Sequence, residues 1–388
     1  MRKAVRLRWG GGVVAAVAVA GLVVALWPDT AIAGDPEIAV SRSDCGTGWA
    51  EPRPGQQTFL MHNTGSVTAE ADLIDPVTGV VYGEVEGLGA GTTRPLQVTL
   101  GNGRYAFRCL PEETEAIVGP VATVTGGTAQ ASPGVTPVTA GELLGPLKTY
   151  HQHVTTGLDT LVRDTAALKA AVGTGDRAVS RTAWLTAHLS YERLGAAYNA
   201  FGDSDGALNG TTDGLPGGAA DPGFTGFHRL EYGLWHDQDM AALTAVAAQI
   251  DTDARKLRDS FGGSQIDGND LGLRAHEIME NALQFELTGR TDYGSGTTLA
   301  TARANLDGTR AVLDVLRPVL TPRFPGLSTV DAWLGRTQTA LDSAHRPDGG
   351  WTPVAQLDQK HRQALNGAIG ELTEQLAPIA AIAQPRRT

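Results

Sequence analysis

The spacing of apolar residues divides the chain into two parts with different periods. Between residues 35 and 125, short runs rich in Val, Thr, Gly and Pro alternate apolar with polar positions, which predicts β-strands. Seven such runs, from EIAVSR to VATVTG, are separated by turn sequences such as DPVTG and LGNGRY. Several short strands at this spacing are typical of a sandwich. We therefore predict a small all-β sandwich over residues 35–125.

From residue 139 onward, apolar residues recur in alternating steps of three and four, which is the period of an amphipathic α-helix. After a first helix that ends near Val172, further helices are predicted over 176–201, 238–261, 269–288, 296–320, 327–343 and 353–382. The segment 202–223 is predicted to be a long loop. Long helices with short connections form bundles, so we predict an all-α domain of two four-helix bundles over residues 139–384. The Gly- and Pro-rich stretch 126–138 is predicted to be a linker.

Residues 1–33 have the pattern of an export signal. The basic stretch MRKAVRLRW precedes a long apolar run, and Ala31-Ile32-Ala33 offers a small-x-small cleavage site. An uncleaved membrane anchor is the alternative, because the apolar run is just long enough to span a bilayer. Either interpretation places the folded part outside the cytoplasm, in the periplasm or cell envelope.

Charge and cysteine content narrow the functional classes. The chain has 31 basic and 42 acidic residues, a net charge of −11. An acidic surface repels phosphate and attracts cations, which argues against nucleic acid as a partner. Cys45 and Cys109 are the two cysteines, and in an exported chain they predict one disulfide. A thiolate metal ligand is the competing interpretation.

Candidate chemistry in the helical part consists of histidine–glutamate pairs at helical spacing. Residues three or four apart lie on one face of a helix, so both side chains of a pair can contact one ion. The pairs are His188 with Glu192, His228 with Glu231, and His276 with Glu280, and two further acidic residues, Asp203 and Asp205, lie in a Gly-rich turn. All three pairs follow apolar stripes and are expected to face inward, where a carboxylate needs a cation or a hydrogen-bonding partner. One pair alone is well explained by an ordinary core contact, but three together favour a metal centre, suited to Fe, Mn or Zn.

The sequence contains none of the catalytic motifs considered in complete form. HEIME (276–280) has the first half of a zincin HExxH motif, but Glu280 stands where the second histidine is required. HRLEY lacks the trailing histidine of the HxxEH motif, and neither a Gly-rich phosphate loop nor a GxSxG elbow is present in the sequence. No catalytic residue is therefore assigned.

Three stretches of the helical part resemble a known family. They are YERLGAAYNAFGDSDGAL, DGLPGGAADPGFTGFHRLEYGLWH and AHEIMENALQFELTG. They resemble the imelysin-type peptidase-like domain and, more closely, the EfeO family, the extracytoplasmic iron-binding components of EfeUOB iron uptake systems. The resemblance covers most of the helical part, and it implies a cupredoxin-like identity for the sandwich that precedes it.

The resemblance also implies a metal site. The HxxE hallmark of the family is matched by His228 and Glu231. The implied ligand set adds Glu192, Asp205 and, from the AHEIME helix, Glu280 or alternatively Glu277. The neighbouring polar residues that would support these ligands are His188, His276, Asp203 and Glu277.

The sandwich departs from a copper-binding cupredoxin. A blue-copper site needs a cysteine followed closely by histidine and a weak methionine ligand, but LPEETEAIVGPVATV follows Cys109. Met61 and His62 are adjacent on a predicted strand, so their side chains point to opposite faces. We therefore expect no copper site there. The resemblance leaves as an alternative a weak metal site on the sandwich that uses Glu112, Glu113 or Glu115.

The function implied by the resemblance is that of an extracytoplasmic protein that captures iron and presents it to a membrane permease. The implied partners are an EfeU-type iron permease and an EfeB-type haem peroxidase. The implied cargo is Fe2+ or Fe3+, with Zn2+ or another divalent metal as a ligand in vitro. Two alternatives are a metal-dependent peptidase of the imelysin type, in which the metal would activate water, and an anionic-polysaccharide-binding protein, which the acidic charge opposes. We expect a binding protein rather than an enzyme.

Overall fold

A computed structural model describes residues 35–387, and the chain divides into two compact units after Gly134. The export signal or anchor predicted for residues 1–33 lies outside the described residues. Within residues 35–387, no helix is both long enough and apolar enough to cross a membrane.

The first unit is a β-sandwich, as predicted. Its strands are β1 (Glu37–Val40), β2 (Gly55–Asn63), β3 (Ala69–Ile74), β4 (Val81–Leu88), β5 (Thr93–Leu100), β6 (Gly103–Pro111), β7 (Ile117–Val118) and β8 (Ala122–Val124). One sheet has the order β1-β2-β5 and the other β4-β3-β6-β7, with β8 paired to β6. Alternate side chains of β2 are buried, which is the period of a half-buried strand. Phe59, Phe107 and Trp49 pack edge-to-face at 5.2 Å in the core between the sheets.

Both cysteines of the sandwich lie in its core. Cys45 and Cys109 form a disulfide with their Cα atoms 5.7 Å apart, which confirms the predicted pairing. Because each sulfur is bonded to the other, neither is a thiolate ligand in this structure. Met61 is buried in the core, whereas His62 reaches the other face of β2 and hydrogen-bonds Thr93 (2.7 Å).

The second unit is all α-helical, as predicted. Among the described residues its helices are α1 (Ala140–Gly173), α2 (Arg177–Glu192), α3 (Tyr198–Phe201), α4 (Asp203–Asn209), α5 (Gly226–Trp235), α6 (Met240–Phe261), α7 (Gly268–Asn281), α8 (Thr298–Leu320), α9 (Leu327–Asp342) and α10 (Gln359–Ala383). Side-chain oxygens cap several of them. The hydroxyl of Thr139 and the carboxylate of Glu142 form a capping box at α1, and Asp176 accepts backbone N–H groups at the start of α2.

The long helices pack as two groups of four. Helices α1, α2, α5 and α6 form one group, α7, α8, α9 and α10 form the other, and one hydrophobic core runs through both. Several details differ from prediction. The helix predicted over 176–201 is interrupted after Glu192, where a 3-10 turn (Gly195–Ala197) leads into α3, and α5 lies outside the predicted helix ranges. The segment 202–223 contains the short helix α4, and the helix predicted over 269–288 is α-helical only to Asn281. It continues as a π-helical segment, Ala282–Glu286.

Candidate metal centre

His188 and Glu192 form the first buried pair, one turn apart on α2. The neighbouring Trp184 donates its indole N–H to the carbonyl of Phe227 (2.9 Å), which ties α2 to α5. Nε2 of His188 lies 3.1 Å from Oε1 of Glu192, but the angle is not that of a hydrogen bond, so the contact is best described as an ion pair. Nδ1 of His188 has no partner among the described residues. The two side chains are therefore placed by the packing of α2 against α5, and not by a hydrogen bond between them.

His228 and Glu231 form the second pair, on the apolar face of α5. Oε2 of Glu231 lies 3.2 Å from Nδ1 of His228. The other oxygen, Oε1, accepts the backbone N–H groups of Tyr293 (3.0 Å) and Ser295 (3.1 Å). Both oxygens of Glu231 therefore have donors. With Nδ1 of His228 held by the carboxylate, Nε2 is the ring nitrogen left to bind a ligand.

The two pairs form one polar centre inside the helical unit. The rings of His188 and His228 pack edge to face with centroids 5.3 Å apart. Burial opposes the charged imidazole, but the carboxylates of Glu192 and Glu231 outweigh it and raise the pKa of His188. Burial alone would raise the pKa of Glu192, but contact with His188 lowers it. The centre therefore favours charged imidazole beside charged carboxylate.

A cavity of about 330 Å³ opens beside this centre. It is lined by Glu192 and His228, but not by His188 or Glu231. The Glu192 carboxylate accepts from Nδ2 of Asn209 at Oε1 (2.9 Å) and, in the amide orientation that satisfies its neighbours, from Asn305 at Oε2 (2.9 Å). These amides fix the carboxylate at the cavity wall.

Glu286 is a further cavity residue, and it does not belong to any of the histidine–glutamate pairs predicted from the sequence. It is 7% exposed, lines the cavity and accepts a hydrogen bond from the hydroxyl of Thr291 (2.8 Å). Burial, together with the negative charges of Glu192 and Glu231, raises the pKa of Glu286 well above its usual range. A buried carboxyl with a strongly perturbed pKa beside other carboxylates is a typical component of a functional site.

The π-helical segment gives Glu286 its place. The N–H of Leu287 donates to the carbonyl of Ala282 five residues earlier (3.0 Å), where an α-helix would use four. A sequence signal for this inward face exists. The buried positions Ala275 and Met279 continue with helical period through Ala282 to Glu286.

The third predicted pair lies outside the cavity. The side chains of His276 and Glu280 are 21% and 44% exposed, and Gln284 donates to Glu280 (3.0 Å). Neither residue of the pair lines the cavity. The prediction that this pair faces inward is therefore wrong, because the inward face of α7 carries the apolar Ala275 and Met279 instead.

The remaining predicted residues do not line the cavity. Asp205 on α4 is half-buried and accepts the hydroxyl of Tyr191, and burial raises the pKa of Asp205. Asp203 is exposed at the start of the same helix. Glu277 lies 2.7 Å from Nη1 of Arg274. Of the predicted set, the structure thus brings together His188, Glu192, His228 and Glu231, with Asp205 beyond them.

A separate acidic cluster lies on the sandwich. Carboxylate oxygens of Glu70, Asp72 and Glu84 come within 4.8 Å of one another. The buried Asp72 accepts two hydrogen bonds from Arg108 (2.6 and 3.0 Å), so the cluster contains its own cation. Burial and the charge of Asp72 raise the pKa of Glu70 to about 7. We do not include this cluster in the candidate centre.

The helical unit matches a known protein family over most of its length. Residues 146–379 match the peptidase M75, or imelysin, family. The chain belongs to the imelysin family. Two curated relatives extend the similarity over both units of this imelysin-family chain. The iron uptake system component EfeO of Yersinia pseudotuberculosis serotype I is 29% identical over 329 residues, which cover 84% of this chain and 85% of the relative.

The same component from Escherichia coli strain K12 is 28% identical over 355 residues, covering 89% of this chain and 90% of the relative. A solved protein structure from Parabacteroides distasonis is 13% identical, with a TM-score of 0.47, and covers 63% of this chain and 96% of that one. The resemblance to EfeO proteins is confirmed.

Proposed function

We propose that this imelysin-family protein captures iron outside the cytoplasm and presents it to a membrane permease. Relatives that cover most of its length are iron uptake system components. The observation that carries the proposal is the cavity that Glu192, His228 and Glu286 line beside a buried histidine–glutamate centre. Carboxylates with one imidazole suit iron in either oxidation state. EfeU-type permeases and EfeB-type haem peroxidases are the partners that this function would require.

The residues divide into ligands and supports. Glu192, His228 and Glu286 line the cavity and are the proposed ligands. Glu231 does not line the cavity, and its Oε2 holds Nδ1 of His228, so its proposed role is to orient that imidazole. Asp205 would complete the ligand set only by moving toward the cavity.

The geometry suits an exchangeable site. Among the described residues, the three cavity ligands do not bring their ligand atoms within 4.8 Å of one another. Negative charge on Glu192 opposes ionisation of Glu286, and a cation would remove that opposition and draw the carboxylates together. Capture and release both require such an open arrangement rather than a closed tetrahedral cage.

A peptidase function is not proposed. Metal-assisted peptide hydrolysis needs a base that activates a metal-bound water. The carboxylate nearest to His228 is Glu231, and its oxygens are committed to His228 and to two backbone N–H groups. The proposal therefore treats the chain as a binding protein that carries iron as cargo.

The test is an anaerobic titration of the full chain with ferrous iron. We expect Glu286→Gln and His228→Gln each to weaken iron binding by at least about tenfold, since each removes one proposed ligand. Glu280→Gln is the matched control, because it neutralises a glutamate of the neighbouring helix that lies outside the cavity. Circular dichroism checks the fold of each variant. Absence of iron binding in the parent, or parent-like binding by Glu286→Gln, would overturn the proposal.

A further inference from the structure

The cavity is larger than an iron ion needs. Its volume of about 330 Å³ lies at the lower end of the range for small organic ligands, roughly 300–1,000 Å³. A water molecule in the liquid takes about 30 Å³, so a cation and a few coordinated waters leave much of the cavity free. The lining residues other than the proposed iron ligands Glu192, His228 and Glu286 therefore need an explanation.

Two of the other lining residues carry positive charge, and they stand beside the acidic Asp213 and the apolar Ile278 and Phe285. Arg274 on α7 and Arg290 after the π-helical segment both line the cavity. Neutral polar side chains stand beside them: Asn209, Thr211, Thr212, Asn281, Thr291 and Asn305. A site built only for a cation would not place guanidinium groups on its wall, because like charges repel.

Arg274 has an unused donor edge. Its Nη1 lies 2.7 Å from Oε2 of Glu277, whereas its Nε–H is buried and has no acceptor among the described residues. The Nε–H and the adjacent Nη–H of an arginine form a planar fork that matches the two oxygens of a carboxylate. Buried donors are normally paired, so this edge points to an anionic group as the missing partner.

Arg290 is differently placed. Its Nη2 lies 2.7 Å from Oδ2 of Asp213, and both side chains are more than half exposed. Its guanidinium also lies over the ring of Phe285 at 5.3 Å. Arg290 is therefore a paired residue at the rim of the cavity, and Arg274 is the residue with donor capacity to spare.

We propose that the cavity binds iron together with a small polycarboxylate anion, one carboxylate of which pairs with the Nε edge of Arg274. This inference rests on the proposed function, because the iron links the anion to Glu192, His228 and Glu286. Without the cation, the negative charges of Glu192 and Glu231 repel an anion. With it, further carboxylate oxygens of the anion fill coordination positions that the protein leaves open. The cargo would then be an iron–carboxylate complex rather than a bare ion.

The experiment is equilibrium dialysis of the full chain against radiolabelled citrate, with and without ferrous iron under anaerobic conditions. We expect about one citrate to be retained per iron, and none without iron. Arg274→Gln should retain at least about tenfold less citrate and bind ferrous iron alone within about threefold of the parent. Arg336→Gln is the control, since Arg336 is exposed and stacks on Trp333 outside the cavity.

The outcomes separate this inference from the proposed function. If the parent binds iron but retains no citrate, or if Arg274→Gln retains as much citrate as the parent, the inference fails and the proposed function stands. If iron-loaded parent retains inorganic phosphate in preference to citrate, the carboxylate assignment is wrong. If the parent binds no iron at all, both fail. Parent-like iron binding by Arg274→Gln also shows that the variant is folded.

Discussion

The carboxylate of Glu231 has two tasks that different substitutions separate. Its Oε1 accepts the backbone N–H groups of Tyr293 and Ser295, and its Oε2 holds Nδ1 of His228. Glu231→Ala removes both tasks. Glu231→Gln keeps an oxygen for the two N–H groups but turns an NH₂ group toward the imidazole. Nδ1 of His228 must then accept a hydrogen bond, which moves the ring proton to Nε2.

The structure sets the size of each effect. A buried donor left without an acceptor costs about 1–3 kcal/mol, so Glu231→Ala should lose about 2–6 kcal/mol of unfolding free energy. The lower end is expected, because Tyr293 and Ser295 are only partly buried. Glu231→Gln retains these two bonds and should lose less than about 1 kcal/mol. Its metal affinity should nevertheless fall by about 10–100-fold, the usual cost of losing the partner that orients a histidine ligand.

Three measurements check this reasoning on the same proteins. Urea unfolding without metal gives the free energy of each variant, and anaerobic titration with ferrous iron gives its affinity. NMR of the imidazole nitrogens reports which nitrogen of His228 carries the proton. Parent-like iron binding by Glu231→Gln, or a Glu231→Ala protein as stable as the parent, would refute the assigned role.

Two further predictions concern the sandwich. Arg108→Met leaves Asp72 buried without its cation and should lower the unfolding free energy of the sandwich, measured by calorimetry, by about 3–5 kcal/mol. The double variant Arg108→Met/Asp72→Leu should recover much of this loss. A double variant no more stable than Arg108→Met contradicts the argument. Glu70 has its pKa raised from 4.5 to about 7 by burial and by Asp72, so its stabilising contribution is complete below pH 4.5 and is lost as pH rises through 7. Thermal unfolding at about pH 5 and about pH 8 should show this loss of stability in the parent and in the exposed control Glu115→Gln, but not in Glu70→Gln. A parent protein whose melting temperature is the same at both pH values contradicts this prediction.

The spacing of apolar residues in the sequence was sufficient to predict the strands of the sandwich and the long helices. Alternation in segments such as QTFLMHN identifies strands of the sandwich, and steps of three and four identify the long helices. The two cysteines left one intramolecular pairing, which the structure has. The pairs His188–Glu192 and His228–Glu231 were recognisable because each lies on a strongly apolar helix face.

The rest depended on information that a period does not carry. On α7, the histidine–glutamate pair suggested one stripe, whereas the more apolar stripe through Ala275 and Met279 determines which side is buried. Glu286 follows that second stripe but lies within a π-helical segment, which no α-helical period identifies. The different roles of Glu231 and the cavity ligands could not be predicted from the sequence either, since they depend on which carboxylate oxygen each donor contacts.

The π-helical segment also has a consequence for changes in chain length. A π turn contains one residue more than an α turn, so Ala282–Glu286 is a place where loss of one residue can be absorbed by rewinding to α-helix. Such a deletion would preserve the packing of α7 and leave the residues that follow at nearly the same angle about the helix axis, because a π turn and an α turn each complete one revolution. A deletion within the regular α-helix before the segment would instead turn the residues that follow by about a hundred degrees and take Glu286 off the cavity wall. The π-helical segment is therefore the place in this helix where the acidic site tolerates a change in chain length.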